Sequence, residues 1–209
     1  MNFTKIKLIK SIKILIGLFI AGLGTAFFFE IGWGSAPTST IVEGVSIYFN
    51  ISFGLSSFSI NVIFLILLLI LDKSLIGVGT VLAVFFLGFF IDLGAFILQA
   101  LQIAHMSIYL KLIMLLIGCV LTSVGLGYYI GQFFGTGAID SMAVIIHKKS
   151  AIEFKYCRWG TDFILMVAGI LLGAAWGIGT LAAFLLTGPI MQFTIRRVNQ
   201  NIEEYVLDN

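Results

Sequence analysis

Two glycine-rich links place hydroxyl and carboxylate side chains at the start of short helical segments. The first reads GWGSAPTST (32–40), and the second reads GTGAIDS (135–141). Free amides at a helix N-terminus, with such side chains around them, can bind a carboxylate, a phosphate or another polar group without a cation. The links therefore predict a substrate site formed by Gly34, Ser35, Pro37, Thr38, Ser39, Gly135, Thr136, Gly137, Asp140 and Ser141.

A second interpretation assigns these links no binding role. Ser35, Thr38, Ser39, Thr136, Asp140 and Ser141 are all residue types that cap a helix, and glycines permit tight turns. The sequence leaves both interpretations open.

Asp92 is the one charge well inside a predicted membrane span. An isolated carboxylate at membrane depth costs about 2.5–3.5 kcal/mol on insertion scales, so we expect it to face the bundle interior, find a partner or take up a proton. Gln192 occupies the matching place in the second half of the chain. Both residues join the predicted substrate site, and the alternative is a helix-to-helix hydrogen bond.

Arg158 and Asp162 stand one helical turn apart at the start of the fifth predicted span. This spacing predicts an i, i+4 salt bridge, worth a few tenths of a kcal/mol if exposed. A gating contact between Arg158 and Asp140 is the alternative role.

The composition indicates an integral membrane protein. Hydrophobic residues make up 60% of the 209, charged residues 11%, and the mean hydropathy is +1.12, far from the roughly 25% charged residues of a soluble domain. A net charge of +2 does not suggest a nucleic-acid partner. Cys119 and Cys157 form no Cys-x-x-Cys or Cys/His cluster, so no metal or other cofactor is expected. His105 and His147 fall outside every predicted span, so no enzyme is expected.

Six apolar stretches are long enough to cross a hydrocarbon core of about 30 Å, or nearly so. They are Ile14–Phe29, about 55–71, about 75–98, Leu112–Gly131, Phe163–Trp176 and Ile178–Ile195. Two further segments, PTSTIVEGVSIYF and AIDSMAVIIHKKS, are too short and polar to span. Each is predicted to be an interfacial amphipathic helix or a half-helix that dips into the protein. Six crossings with both termini cytoplasmic place nearly every basic residue inside.

The chain repeats itself. GVGTVLAVFFLG (77–88) recurs as GIGTLAAFLLTG (177–188), and residues 16–40 align with 117–141 at a shift of 101. One repeat covers about 12–100 and the other about 112–197, within a single membrane domain (1–209) that ends in a cytoplasmic tail (198–209). Three crossings per repeat place the second copy upside down relative to the first. We therefore predict an all-α fold of two inverted three-helix repeats, each with a short interfacial or re-entrant helix.

Several motifs resemble the YczE/YyaS/YitT group of bacterial membrane proteins, most closely the YczE branch. They are GSAP ending at Pro37, GTGAID ending at Asp140, GVGT ending at Thr80 and GIGT ending at Thr180, with Arg158 opening the fifth span. The likeness extends from about residue 12 to 197. Thr38 and Ser39 replace the aromatic and acidic residues that often follow the first proline, and Ala138 replaces a proline. The resemblance implies a six-span plasma-membrane protein, often described as a probable transporter, with no firm substrate.

Two functions remain from the sequence. The leading one is a secondary permease for a small polar or anionic metabolite, because inverted repeats are common in such proteins. The alternative is a non-transport accessory that docks a cytoplasmic enzyme or assembly partner through the basic segment 147–158. The expected partners are the lipid bilayer and an unidentified small molecule, and a homodimer with a second copy of the chain is a further option.

Overall fold

The structure, a computed structural model, describes residues 3–100, 103 and 106–198. His105 and the predicted tail beyond residue 198 lie outside this part of the chain. The described residues form eight α-helices and no strand. The helices are α1 (Phe3–Ile31), α2 (Pro37–Phe49), α3 (Phe53–Leu71), α4 (Val78–Gln99), α5 (Ile108–Ile130), α6 (Asp140–Ser150), α7 (Phe154–Leu171) and α8 (Ile178–Val198).

Four of the described helices are long and apolar enough to cross a membrane, and they contain Lys7–Ile31, Val78–Gln99, Ile108–Ile130 and Ile178–Val198. These are predicted spans one, three, four and six. The apolar run in α3, Leu55–Leu71, is shorter. Large apolar side chains such as Phe85, Phe96 and Leu171 are exposed, which an aqueous surface would not tolerate over so large an area. The protein is an all-α membrane protein.

The fifth predicted span, Phe163–Trp176, has the wrong limits. The helix α7 begins at Phe154 and ends at Leu171. It starts earlier than predicted because Arg158 and Asp162 pair inside the protein and so belong to the buried helix. The chain then turns at Gly173, where φ is +99°. The predicted basic loop is consequently mostly helical, since α6 ends at Ser150 and α7 starts four residues later.

α1 and α5 cross in opposite directions at a glycine-lined contact. A methyl group on Gly17 would lie 2.9 Å from the carbonyl oxygen of Gly125, and one on Gly118 would lie 3.0 Å from that of Gly24. Small residues permit this close approach of two backbones. Gly118 and Gly125 follow Gly17 and Gly24 by 101 residues, so the repeat shift turns one contact into the other.

α1 and α4 run in the same direction, as do α5 and α8. Gly22 packs against Phe90, and Gly94 packs against Ala26 one turn further along both helices. In the second half, Gly127 packs against Thr194 and Gly131 against Val198. We call the side on which α1 begins the amino-terminal side and the opposite one the far side. α1 and α4 therefore begin on the amino-terminal side, where α5 and α8 end.

Each link docks onto the first turn of the last helix of the other half. The amide of Gly79 donates to the Phe134 carbonyl at 2.7 Å, and the amide of Gly179 donates to the Trp33 carbonyl at 2.9 Å. Gly135 (φ +102°) leaves no room for a side chain, since a methyl group there would lie 2.7 Å from the backbone of Gly77. These reciprocal contacts fix both links against the bundle.

The two halves differ in how closely their third helices, α3 and α7, pack against the short helix of the other half. α2 lies closely against α7, where a methyl group on Gly44 would be 2.5 Å from the Gly169 carbonyl oxygen. The corresponding pair, α6 and α3, makes few contacts. Ile145 and Leu68 stand 101 residues from Gly44 and Gly169, and their side chains prevent an equally close approach. α3 is consequently the most loosely packed of the long helices.

Candidate functional site

A cavity of about 270 Å³ lies between the two halves. α1, α2, α3, α4 and α5 contribute to its wall, together with the second link and the first residue of α6. Its exposed lining residues are Phe58 of α3 and Gly88 and Asp92 of α4. The mouth therefore lies between the loosely packed α3 and α4.

Corresponding positions of the two repeats meet in this wall. Thr25 and Leu126 both line the cavity, as do Ala36 and Gly137, and each pair is separated by 101 residues. Ser39 and Asp140 form a third such pair. The cavity thus lies where α1 crosses α5 and where the two links come together.

The two short helices begin inside the protein. Residues 39–42 of α2 and the residue pair Asp140 and Ser141 of α6 are buried, whereas the last residues of both helices are exposed. This burial favours the half-helix over the interfacial interpretation that the sequence left open, because a helix lying on a membrane surface would bury a stripe rather than one end.

The hydroxyl groups of the links pair with one another and do not cap helices. Ser35 Oγ lies 3.3 Å from Thr40 Oγ1, and Thr136 Oγ1 lies 2.5 Å from Ser141 Oγ. The residues before α2 and α6 make no side-chain cap, so the capping prediction is wrong. The paired hydroxyls instead close each link onto the first turn of its helix, where Thr40 and Ser141 also donate to the carbonyls of Ala36 and Gly137.

Asp140, Arg158 and Asp162 form a buried ionic cluster at the inner wall of the cavity. Arg158 Nη1 lies 2.5 Å from Asp140 Oδ1, and its Nε lies 2.9 Å from Asp162 Oδ2. Both contacts that the sequence suggested are present: the i, i+4 salt bridge between Arg158 and Asp162 and the contact between Arg158 and Asp140. Asp162 Oδ1 is buried without a partner, and Asp140 Oδ2 accepts no hydrogen bond from the described residues. The cluster therefore holds one cation against two carboxylates.

Asp92 is exposed at the mouth of the cavity, in the half of α4 nearer the far side. Of the three outcomes expected for Asp92, a position facing the bundle interior is not the one seen, because that face of α4 packs against α1 through Gly94. No hydrogen bond or ion pair joins Asp92 to any described residue. The carboxylate is available to whatever occupies the mouth.

Five of the twelve predicted substrate-site residues line the cavity: Thr38, Ser39, Asp92, Gly137 and Asp140. The others do not. Gly34, Ser35, Pro37, Gly135, Thr136 and Ser141 are behind the wall, where they hold the links.

Gln192 lies apart from the cavity, although it was grouped with Asp92. Its Oε1 accepts a hydrogen bond from the amide of Lys155 at 2.9 Å, and its Nε2 donates to Glu153 Oε2 at 3.3 Å. The Lys155 ammonium, 2.8 Å from Glu153, and the bond from Gln192 Nε2 together hold the pKa of Glu153 below its usual range. Gln192 therefore fastens the start of α7 to the end of α8, and its amide is occupied there.

The sequence interpretation missed four polar lining residues: Thr25, Ser57, Asn61 and Thr122. Ser57 and Asn61 stand 101 residues before Arg158 and Asp162, so the repeat could have identified them. Thr122 gave no such signal, because position 21 holds alanine. It is 4% exposed, and its hydroxyl is unpartnered among the described residues.

Comparison with known proteins assigns the chain to a family. Residues 8–196 match the model of a family of unknown function, DUF6198. The chain belongs to this family. It is similar to an uncharacterised protein of Haemophilus influenzae, at 28% identity over 88% of this chain and 83% of that protein. It is also similar to two Bacillus subtilis proteins, the uncharacterised membrane protein YczE (27% identity; 86% and 82% covered) and the uncharacterised protein YyaS (31%; 84% and 87%). No solved structure matches the chain.

The match confirms the family that the link motifs predicted. It covers both links, the ionic cluster and all the residues that line the cavity. One of these relatives is named a membrane protein, and none of the three names assigns a substrate, so the chemistry of the site has to be argued from this chain.

Proposed function

We propose that this DUF6198 protein is a secondary transporter that carries a small polar solute across the bacterial plasma membrane. The cavity between its two halves is the observation that supports the proposal most. Its walls combine backbone from two links with hydroxyl, amide and carboxylate side chains, as expected of a site that binds a polar solute within a bilayer.

The directions of the helices support six crossings. α1 and α4 are parallel, so the chain between them has to return across the bilayer. α2, with 13 residues, is about 20 Å long, and α3, with 19, is about 28 Å long. Only α3 approaches the hydrocarbon thickness of about 30 Å. The 18 residues of α7 make the same return between the parallel α5 and α8.

Three crossings per half would make the repeats inverted in the membrane. The antiparallel contact between α1 and α5 agrees with this arrangement, and the axis that relates the halves would lie in the membrane plane. The short helices α2 and α6 would then be re-entrant, with their buried N-termini near mid-membrane. A broken backbone at that depth is tolerated where it lines a cavity.

The distribution of basic residues supports cytoplasmic termini. The amino-terminal side carries Lys73, Lys148, Lys149, Lys155, Arg196 and Arg197. Among the described residues of the far side, Lys111 is the one lysine or arginine. Lysine and arginine concentrate in cytoplasmic loops, so the amino-terminal side is assigned to the cytoplasm.

The unequal packing of the halves supports a transport cycle. α2 is closed against α7, whereas α3 is loose against α6, and the cavity mouth lies beside α3. On the amino-terminal side, Lys148 and Asp72 form an ion pair at 3.4 Å that ties α6 to the chain between α3 and α4. We assign this conformation to a state closed toward the cytoplasm, and release on that side would require this ion pair to separate.

The geometry gives less support to the alternative function, docking of a partner through segment 147–158. Most cations of segment 147–158 have intramolecular partners: Lys148 pairs with Asp72, Lys155 with Glu153, and Arg158 with Asp140 and Asp162. Lys149 alone of these cations is exposed without an ion pair among the described residues. A segment whose charges are already neutralised offers little to an acidic partner.

A mouth-blocking variant tests transport. Gly88 lines the cavity and a methyl group on it meets nothing within 4 Å, so Gly88→Trp should fold and obstruct the mouth. Gly160→Trp is the matched control, because Gly160 is an equally open, exposed helical position away from the cavity. Metabolites of cells expressing each form are compared by mass spectrometry, and solutes that differ are tested for uptake into proteoliposomes. Transport that Gly88→Trp abolishes and Gly160→Trp spares is expected, whereas equal profiles would contradict the proposal.

Cysteine labelling tests the inverted repeat. Cys119 and Cys157 are buried and should stay unreactive. Ser74→Cys and Ala175→Cys place exposed thiols in the turns before α4 and α8. An impermeant maleimide should label the first only from the cytoplasm and the second only from outside. Labelling of both from one side would rule out the inverted arrangement.

A further inference from the structure

We propose that the cavity binds a small organic cation, with its ammonium group between Asp92 at the mouth and Asp140 at the inner wall. This inference rests on the proposed function for its physiological meaning, although cation binding can be measured without transport. The predicted ligand class from the sequence was a polar or anionic metabolite, and the arrangement of charges in the cavity selects against the anion.

The charged residues that line the cavity are both acidic. Among its described lining residues are Asp92 and Asp140, but no lysine, arginine or histidine. Asp92 has no hydrogen bond or ion pair with any described residue. A carboxylate within a membrane-spanning helix needs a counter-charge or a proton. A bound cation would supply that charge at the mouth.

Arg158, which pairs with Asp140, offsets only part of this negative charge. Its guanidinium is shared between Asp140 and Asp162, so the cluster contains two carboxylates for one cation. Arg158 is 2% exposed and is absent from the cavity wall. Asp140 presents Oδ2 without a protein donor. A ligand therefore meets a carboxylate oxygen of this cluster and not its guanidinium.

Several amides in the first turns of α2 and α6 are already bonded to backbone carbonyls. α2 begins with Pro37, which has no amide hydrogen, and the amides of Ser39 and Thr40 donate to the Ala36 carbonyl. The amides of Ser141 and Met142 are bonded to the preceding turn, and α6 carries Asp140 in its own first turn. An acidic residue there already occupies the position that a bound anion would take.

An unpartnered buried hydroxyl provides an independent indication of a ligand. Thr122 lines the cavity, is 4% exposed, and its Oγ1 has no hydrogen-bond partner among the described residues. A buried polar group left unpaired is costly, so such groups usually have a partner that completes them. A hydroxyl or ether oxygen of the ligand, or a water molecule carried with it, would serve.

Thermal stability of the purified full chain tests the charge preference. The probes are choline, its uncharged carbon isostere 3,3-dimethylbutanol and the anion isovalerate, followed by sets of primary amines, guanidines, carboxylates and phosphate esters of similar size. A ligand that binds the folded form raises its melting temperature. We expect at least one ammonium or guanidinium compound to stabilise the protein, and its neutral isostere to have no effect. Stabilisation by anions alone, or by no member of the panel, overturns the inference.

Matched variants locate the site. Asp92→Asn should weaken binding of the stabilising cation at least tenfold, whereas Glu153→Gln, which removes an exposed carboxylate outside the cavity wall, should not. Equal affinities in Asp92→Asn and the wild type would overturn the assignment. The uptake assay distinguishes the two proposals. Transport of an anion through the cavity would support the transporter and overturn the cation site. Binding of a cation without uptake would support the cation site and contradict the transporter.

Discussion

The guanidinium of Arg158 lies 2.5 Å from the carboxylate of Asp140, and both residues are buried where α7 meets the first turn of α6. The same guanidinium also bonds Asp162, one turn along α7. A buried ion pair gains its attraction at the cost of desolvating both partners, and removing one of them leaves the other charge uncompensated. The cluster therefore both stabilises the cavity wall and determines its charge.

Arg158→Met should be strongly destabilising. It leaves two buried carboxylates without their cation, for which a loss of about 3–5 kcal/mol is typical. Asp162→Asn should cost less, because Arg158 keeps its bond to Asp140. Unfolding in detergent measures the difference, with Arg197→Met, a change at an exposed arginine, as control. A loss in Arg158→Met no larger than in that control would show that the cluster does not stabilise the fold.

Gly135→Ala should destabilise the protein more than Gly32→Ala. Both glycines have positive φ, +102° and +72°, so both substitutions strain the backbone. Only Gly135 lies against another backbone, that of Gly77, whereas a methyl group on Gly32 meets nothing within 4 Å. The difference in melting temperature measures the close approach of the link to Gly77 together with the greater backbone strain at φ +102°. Equal losses would mean that backbone conformation alone matters.

Thr122→Val should separate binding from stability. The substitution removes a buried hydroxyl that has no partner, so the free energy of unfolding should stay unchanged or rise. Affinity for the stabilising cation should fall. Thr180→Val is the control, because Thr180 has an equally buried, unpartnered hydroxyl outside the cavity wall. Titration followed by melting temperature gives both quantities, and identical affinities in the two variants would exclude a ligand role for Thr122.

Asp72→Asn should lower stability at neutral pH and have no effect in acid. Burial acts against ionisation of Asp72, but hydrogen bonds from Ser74 and the charge of Lys148 outweigh it and hold its pKa below the ordinary value. A lowered folded-state pKa stabilises the protein above the unfolded pKa of about 3.9 and loses that effect as pH falls through the folded value. The expected loss at pH 7 is up to about 1 kcal/mol. Unfolding at pH 7 and below pH 3.5 measures it, and a pH-independent difference would contradict this account.

The repeat shift relates residues of the site that the chemistry of single residues does not connect. It related the two links, which do meet at the cavity. Counting 101 residues back from Arg158 and Asp162 also leads to Ser57 and Asn61, which line the cavity. The shift placed Asp92 and Gln192 in one site, but only Asp92 lines the cavity, because matching positions need not have matching neighbours. α4 exposes Asp92 beside the loose α3, whereas α8 packs against α7 and Gln192 bonds its first turn.

The sequence by itself determined the all-α membrane class, the apolar helices and the existence of two related halves, because hydropathy, glycine spacing and repeats are properties of order along the chain. The tertiary structure alone decided which hydroxyls pair, where the cavity opens and that Arg158 is shared by two carboxylates. Each of these depends on side chains that are far apart in sequence, such as Arg158 and Asp140, and on glycine contacts that let α2 close on α7 while Ile145 and Leu68 hold α6 and α3 apart. Packing distances of this kind depend on both partners at once, which no single segment encodes.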